Sequence, residues 1–397
     1  MIIIIYCAIV FFFCSCSKSE DTNIQIIDLT QQTDSICLLS NIAESIEYYP
    51  LNGIEFLRTI ELLNDYIWVY SERTGEGYLY KKKTGELANS INFGLFMEGP
   101  GYMPYTNKVT NTAFSSSKEN NFICYKREEK RSKVYYSSIT FNTQNGQVVD
   151  SIAFPANHFQ QINDFVINNH YYNANVSIDS LKWYDKSMRL SRIDCLPDTI
   201  CGISYRDMTV FSLLDKLLFY HAPTSETIYK ISPIEKAIPL YKFYLGTYKP
   251  NFNRISKIKD IEKKHDYPYY YLAGSQISEN YIWSNFYYKR ERYNVLFDRY
   301  TLRHWIIPTK MNEAQYELKP YAGLRNDLDG GIDFWPKRIS KTGEIYTWYK
   351  IKDLKEMVEQ NQHKEIKNPE AAKRLKELLK ALPHDTGYIV AVLKEKK

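Results

Sequence analysis

The feature that most constrains the fold of this chain is a repeat. A short turn followed by a strand-like run rich in Tyr, Ile and Trp recurs at Asn64-Asp65-Tyr66-Ile67-Trp68-Val69, Asn120-Asn121-Phe122-Ile123-Cys124-Tyr125 and Asn169-His170-Tyr171-Tyr172. It returns at Asp215-Lys216-Leu217-Leu218-Phe219-Tyr220, Glu279-Asn280-Tyr281-Ile282-Trp283 and Gly343-Glu344-Ile345-Tyr346-Thr347-Trp348. The first strand residues (66, 122, 171, 217, 281 and 345) are spaced by 46 to 64 residues. Periods of this size belong to repeat architectures, in which a unit buries its faces only against its neighbours. β-Propeller blades run about 40–50 residues, and inserted loops lengthen them.

The runs around each instance complete a four-stranded meander. After Tyr66 come Tyr78-Leu79-Tyr80, a turn at Thr84-Gly85, and Leu87 to Phe93. After Phe122 come Val134 to Phe141, Asn145-Gly146, and Val148 to Phe154. Asn-Gly between apolar runs is a hairpin signal, because both residues tolerate φ > 0. Trp183-Tyr184, Thr227-Ile228-Tyr229 and Asn294-Val295-Leu296-Phe297 occupy the third-strand position later on. The expected fold is all-β: a six-bladed β-propeller of four-stranded antiparallel blades. The last unit is interrupted by helical sequence over about residues 351–382, where Asn368-Pro369 gives a cap and first turn. It closes with Tyr388 to Leu393 and is one strand short, and residues 24–29 are expected to supply that strand and leave no open edge. Leu375, Leu378, Leu379 and Leu382 mark the packed face of the inserted helix.

The N-terminus reads as an address. Residues 2–13, IIIIYCAIVFFF, are too short to span a bilayer and fit the apolar core of a signal peptide. They run into Phe13-Cys14-Ser15-Cys16, which resembles the bacterial lipobox and makes Cys16 the acylated residue of the mature chain. No Lys or Arg precedes the apolar run. The expected organisation is a signal peptide at 1–15, a lipid-anchored tether at 16–23 and one propeller domain at 24–397. Serine follows Cys16 where an aspartate would mark inner-membrane retention. Ser17-Lys18-Ser19-Glu20-Asp21 is similar to surface-export signals of Bacteroidetes lipoproteins. The expected location is the cell envelope, as an outer-membrane lipoprotein on the periplasmic or the extracellular side.

Composition narrows the chemistry. The net charge of +5 comes from 51 basic and 46 acidic residues, too near balance to call for a polyanion. The densest basic stretch, Lys126 to Lys133, contains two acids and reads as a solvated hairpin rather than a nucleic-acid site. Tyr-rich stretches such as Tyr267-Pro268-Tyr269-Tyr270-Tyr271 and Tyr287-Tyr288 pack in strands or stack on sugar rings. The His residues are scattered without zincin spacing, and no G-x-S-x-G elbow or P-loop occurs. Asp327, Asp329 and Asp333, spaced around Gly330-Gly331, are the one calcium candidate, although a tight turn accounts for them without metal. No cofactor is expected. Once the leader is removed, Cys37, Cys124, Cys195 and Cys201 remain free of acylation. Cys195 and Cys201 flank Leu-Pro-Asp-Thr-Ile, and an oxidising compartment allows a disulfide between them; two free thiols are the alternative.

Lys83-Thr84-Gly85-Glu86-Leu87, Phe93-Gly94 and Glu98-Gly99-Pro100-Gly101-Tyr102 resemble an element of propellers related to NHL repeats. In that pattern a glutamate follows Gly-Pro-Gly; here Tyr102 does. Asn326-Asp327-Leu328-Asp329-Gly330-Gly331, Phe334-Trp335-Pro336-Lys337 and the final Val-rich strand are similar to six-bladed β-propeller lipoproteins of Bacteroidetes. The resemblance implies fold and location, and it assigns no activity. Three functions follow as expectations. One is an envelope-anchored binding or scaffold protein recognising a glycan, peptide or protein with a propeller face. The second is a glycan-active lyase or hydrolase with residues drawn from several blades. The third is an accessory subunit of an outer-membrane assembly.

Overall fold

Each of the six aromatic runs forms the second strand of a sheet. The computed structural model describes residues 24–31, 38–54, 57, 59–63, 65–71, 76–92, 108–114, 121–130, 133–142, 148–154, 163–167, 170–176, 180–184, 190–195, 210–214, 217–221, 225–232, 234–244, 246, 271–288, 291–309, 322–340, 343–361, 365–382 and 386–396. The chain enters through β1 (Gln25–Asp28), one turn of helix α1 (Leu39–Ile42) and β2 (Ala43–Leu51). The first sheet is β3 (Thr59–Leu62), β4 (Tyr66–Ser71), β5 (Glu76–Lys81) and β6 (Leu87–Asn92). The second is β7 (Lys108–Phe114), β8 (Asn121–Lys130), β9 (Lys133–Asn142) and β10 (Val148–Phe154). The third is β11 (Asn163–Ile167), β12 (His170–Val176), β13 (Ser180–Tyr184) and β14 (Leu190–Cys195). The fourth is β15 (Val210–Leu214), β16 (Leu217–His221), β17 (Thr227–Ile231) and β18 (Ile238–Tyr244). The fifth is β19 (Tyr271–Ile277), β20 (Tyr281–Tyr288), β21 (Glu291–Asp298) and β22 (His304–Thr309).

The sixth sheet starts with β23 (Arg338–Ile339) and β24 (Ile345–Lys350), then leaves for helices α2 (Ile351–Gln360) and α3 (Pro369–Ala381) and returns as β25 (Tyr388–Glu395). Its fourth strand comes from the start of the chain, as expected, but from a different segment. β2 pairs antiparallel with β25, Ile46 opposite Leu393 and Tyr48 opposite Ala391. Residues 25–28 instead add to the fourth sheet as a fifth strand, parallel to β18, with Ile27 opposite Phe243. The physical reason is length and pattern. β25 is 8 residues long and β2 9, whereas β1 has only 4 residues to pair. Pro50 lies inside β2, which is tolerated because β2 is an outermost strand and needs hydrogen bonds on one side only.

The basic stretch forms a hairpin: β8 runs on through Lys130 and β9 begins at Lys133. Trp183, in the third-strand position, is buried on β13. The turn between β5 and β6 needs Gly85, whose φ of +67° is unfavourable for a side chain and whose added Cβ would lie 2.8 Å from Pro50 O.

The apolar cores lie between successive sheets. Phe219, Ile228 and Phe243 of the fourth meet Ile282, Val295 and Phe297 of the fifth. Trp283 and Leu296 of the fifth join Ile345, Ile389 and Leu393 of the sixth and Leu375 and Leu379 of α3. Tyr346, Val390 and Val392 of the sixth meet Ile60, Ile67 and Val69 of the first. First strands also neighbour one another, β7 beside β11, β15 beside β19 and β19 beside β23. Asn368 caps α3 as its sequence promised, its side chain accepting from Ala371 N at 3.0 Å. The packed face of α3 is Ala372, Leu375, Leu379 and, just past its end, Leu382; Leu378 is half-buried.

Candidate functional site

The polar groups of interest gather where the first strands of the fifth, sixth and first sheets approach. Lys337 and Arg338 are consecutive, at the entry to β23. Arg338 is ion-paired with Glu61 of β3, and 43% of its side chain remains exposed. Tyr346 of β24 donates from Oη to Ile60 O at 2.9 Å and to Glu61 at 3.4 Å, so Glu61 is held from two sides. Burial, and then the Glu61 charge, push the Tyr346 hydroxyl well above its ordinary pKa and keep it a donor. A second ion pair joins the same two sheets farther out, Lys82 to Glu344.

Lys337 is exposed, yet its amine lies over the Trp348 ring, 4.4 Å from the centroid, and donates to Trp348 O at 2.9 Å. Desolvation against this aromatic surface pushes the amine down to about 8. The backbone is fixed from the neighbouring sheet, since Gln276 of β19 donates to Lys337 O at 3.1 Å. The result is a group with two cationic ends, an amide and an aromatic ring, suited to a carboxylate on a polar ligand.

The calcium candidates share one turn and do other work. Asp327 gives both carboxylate oxygens to Ser40, accepting from its N at 2.9 Å and its Oγ at 2.5 Å. Asp329 accepts from Asn326 Nδ2 at 2.7 Å, Gly331 N at 2.9 Å and Tyr48 Oη at 3.2 Å. Burial raises its pKa against those bonds. Asp333 is half-buried and accepts at its backbone O from Tyr349 Oη at 3.2 Å. The turn thus ties α1 and β2 to the segment before β23. Among the described residues no three His, Cys, Asp or Glu side chains converge on a metal position. Cys16 and Cys201 lie outside the described residues, and Cys195 ends β14. Residues 267–270 also lie outside them, while Tyr271 starts β19 and Tyr287 and Tyr288 end β20. Among the described residues no helix is long and apolar enough to cross a membrane.

Sequence reasoning gave no role to Glu61, Gln276 or Arg338. They are single polar residues in separate strands, and only the pairing of sheets brings them together. Lys337 stood within the Phe334-Trp335-Pro336-Lys337 motif, whose aromatic members turn out to pack: Phe334 is buried, and Trp335 meets Trp283 edge-on at 5.1 Å.

The fold defines a mostly-β protein of antiparallel four-stranded sheets, with a polar cluster on neighbouring first strands. The chain belongs to the family described as Domain of unknown function (DUF4934), whose model matches residues 23–394. No curated protein matches it. Among solved structures it is similar to a "Putative exported protein" of Bacteroides fragilis, with a TM-score of 0.60 at 15% identity, over 94% of this chain and 100% of that one. A luciferin-regenerating enzyme gives a TM-score of 0.41 at 8% identity, over 88% of this chain and 97% of that one. Glutaminyl cyclase of Myxococcus xanthus gives 0.33 at 11% identity, over 67% of this chain and 97% of that one. The last two are too distant to bear on the argument.

Proposed function

We propose that this chain is a six-bladed β-propeller lipoprotein, held at a bacterial envelope membrane by acylated Cys16, that binds an acidic glycan or peptide at the mouth of its axis. The propeller reading is supported by six sheets in which each described neighbour pair follows chain order and the sixth packs back on the first. Export agrees with the name of the Bacteroides fragilis relative. The observation that carries the binding reading is the Lys337–Arg338 pair at β23, beside Gln276 of β19 and Trp348 of β24; β19 and β23 are first strands, the axial strands of a propeller.

The test is ligand-induced thermal stabilisation, since whatever binds the folded state alone raises the melting temperature. Uronate-containing oligosaccharides and Glu-rich peptides are expected to raise it in the intact chain, and neutral oligosaccharides not. Lys337→Gln, at an exposed position, is expected to keep the fold and abolish the shift. An unchanged shift in that variant overturns the assignment.

The same cluster supports a second reading, a glycan lyase, in which the Lys337 amine, held over Trp348 beside Gln276 and Arg338, acts as general base. Incubation with uronate polymers, followed by absorbance of unsaturated products, decides between binding alone and turnover.

A further inference from the structure

We infer that the rim of the molecule at β1 lies against a lipid bilayer, an apolar patch with flanking cations that docks beside the acyl anchor. The inference rests on the reading of Cys16 as the lipid-bearing residue and goes beyond it, because an anchor alone sets no orientation.

The patch is built on β1 and the strand and turn next to it. Ile24 and Ile26 are 37% and 63% exposed. On a parallel pair, partners in register share a face, so Ile26 lies beside exposed Lys242 and, two residues on, Asp28 beside Tyr244, which is 52% exposed. The alternate residues Ile27 and Phe243 turn inward to the core, which leaves the outward apolar residues unexplained by folding. The turn between β21 and β22 reaches this edge of the fourth sheet from the face that Ile27, Tyr241 and Phe243 share. Arg299 Nε donates to Tyr241 Oη of β18 at 3.1 Å, and His304 Nε2 donates to Gln31 O, just past β1, at 3.2 Å. That turn carries Tyr300, 72% exposed, and Leu302, 51% exposed, followed by exposed Arg303. Leu302 has φ of +59°, an uncommon conformation for an L-residue with a bulky side chain.

The tether identifies what covers the patch. Seven residues separate Cys16 from Ile24, and the eight steps between the two, fully extended, reach at most about 29 Å. An acyl chain in the membrane therefore keeps the start of β1 close to the surface. Tyr at the water–lipid boundary, aliphatic side chains beside it and Lys242 and Arg303 toward anionic headgroups are the composition that an interfacial contact uses.

Hydroxyl-radical footprinting tests this on the full-length protein. The lipidated form in phosphatidylethanolamine–phosphatidylglycerol vesicles is compared with the Cys16→Ala protein in solution. Protection of at least threefold is expected at Ile26, Tyr244, Tyr300 and Leu302. Leu87, Val149 and Leu190, equally exposed elsewhere, serve as internal controls and are expected to stay unchanged. Equal labelling of the patch in both forms overturns the inference, and so does protection centred on the controls. Protection that develops in the soluble variant as its concentration rises overturns it in favour of a second copy of this chain. Mass spectrometry of the same sample separates the two readings. Absence of an acyl group at Cys16 removes the anchor and the docking with it, whereas an acylated chain with an unprotected patch removes only the docking.

Discussion

His221 lies in β16 with 1% of its surface exposed, its ring 5.7 Å from that of Phe243. Nε2 donates to Ser225 O at 2.9 Å, which leaves Nδ1 as a bare lone pair, without a partner among the described residues. Burial lowers the imidazole from 6.5 to about 4. The sign follows from proton counting. Between those values the unfolded chain binds a proton that the folded chain refuses, so stability is full above pH 6.5 and falls as pH drops toward 4. The slope approaches about 1.4 kcal/mol per pH unit, and the sum is about 3 kcal/mol. Urea unfolding of the native protein and His221→Gln at several pH values is expected to show a shallower acid loss in the variant. Other titrating groups act in both proteins and cancel in the difference, so parallel curves would contradict the assignment. In the sequence, His221 was one scattered histidine among several; nothing local marks a buried ring whose second nitrogen finds no hydrogen-bond partner among the described residues. The same holds for Arg338 and Glu61, which meet only across the seam between the sixth and first sheets.

At the level of elements, the strands were legible wherever a short period dominated, as in Tyr66–Val69 and Tyr281–Trp283. There, side chains alternate between two buried faces and turn residues set the limits. Helical sequence was legible over about residues 351–382, and α3 by its Asn368-Pro369 cap and apolar spacing. Leu375 and Leu379 bury fully between α3 and the fifth and sixth sheets, whereas Leu378 sits at the margin. Leu375→Asp is therefore expected to lower stability by several kcal/mol, and Leu378→Asp by clearly less. Thermal melts of the two variants check this; equal melting temperatures would mean that α3 is not docked by that face. The partner of β25 was not legible. The sequence pointed to the apolar segment 24–29 and gave no role to 43–51, AESIEYYPL, and alternation does not say which neighbour a strand chooses. The choice lies in long-range contacts: Tyr48 Oη to Asp329, and Asp327 to the first turn of α1, hold β2 against the sixth sheet.

For the whole molecule, the seam between β2 and β25 decides cooperativity. Backbone amides of Ile46 and Tyr48 are expected to exchange with solvent together with those of Val390 and Val392, near the limit set by global unfolding. β1, with 4 residues on an outer edge, is expected to exchange much faster. Hydrogen exchange followed by mass spectrometry resolves the three segments, and early release of β2 with β25 still protected would show that β2 does not share the stability of the sixth sheet. The same seam has a consequence for how the protein is made. A chain is made from its N-terminus, so residue 43 is synthesised well before its partner, residue 395. Through the intervening synthesis β2 has no strand to join, and its open backbone edge is available to wrong partners. Completion of this sheet thus waits for β25, and a nascent chain stalled before Tyr388 would be a substrate for chaperones rather than a smaller working protein.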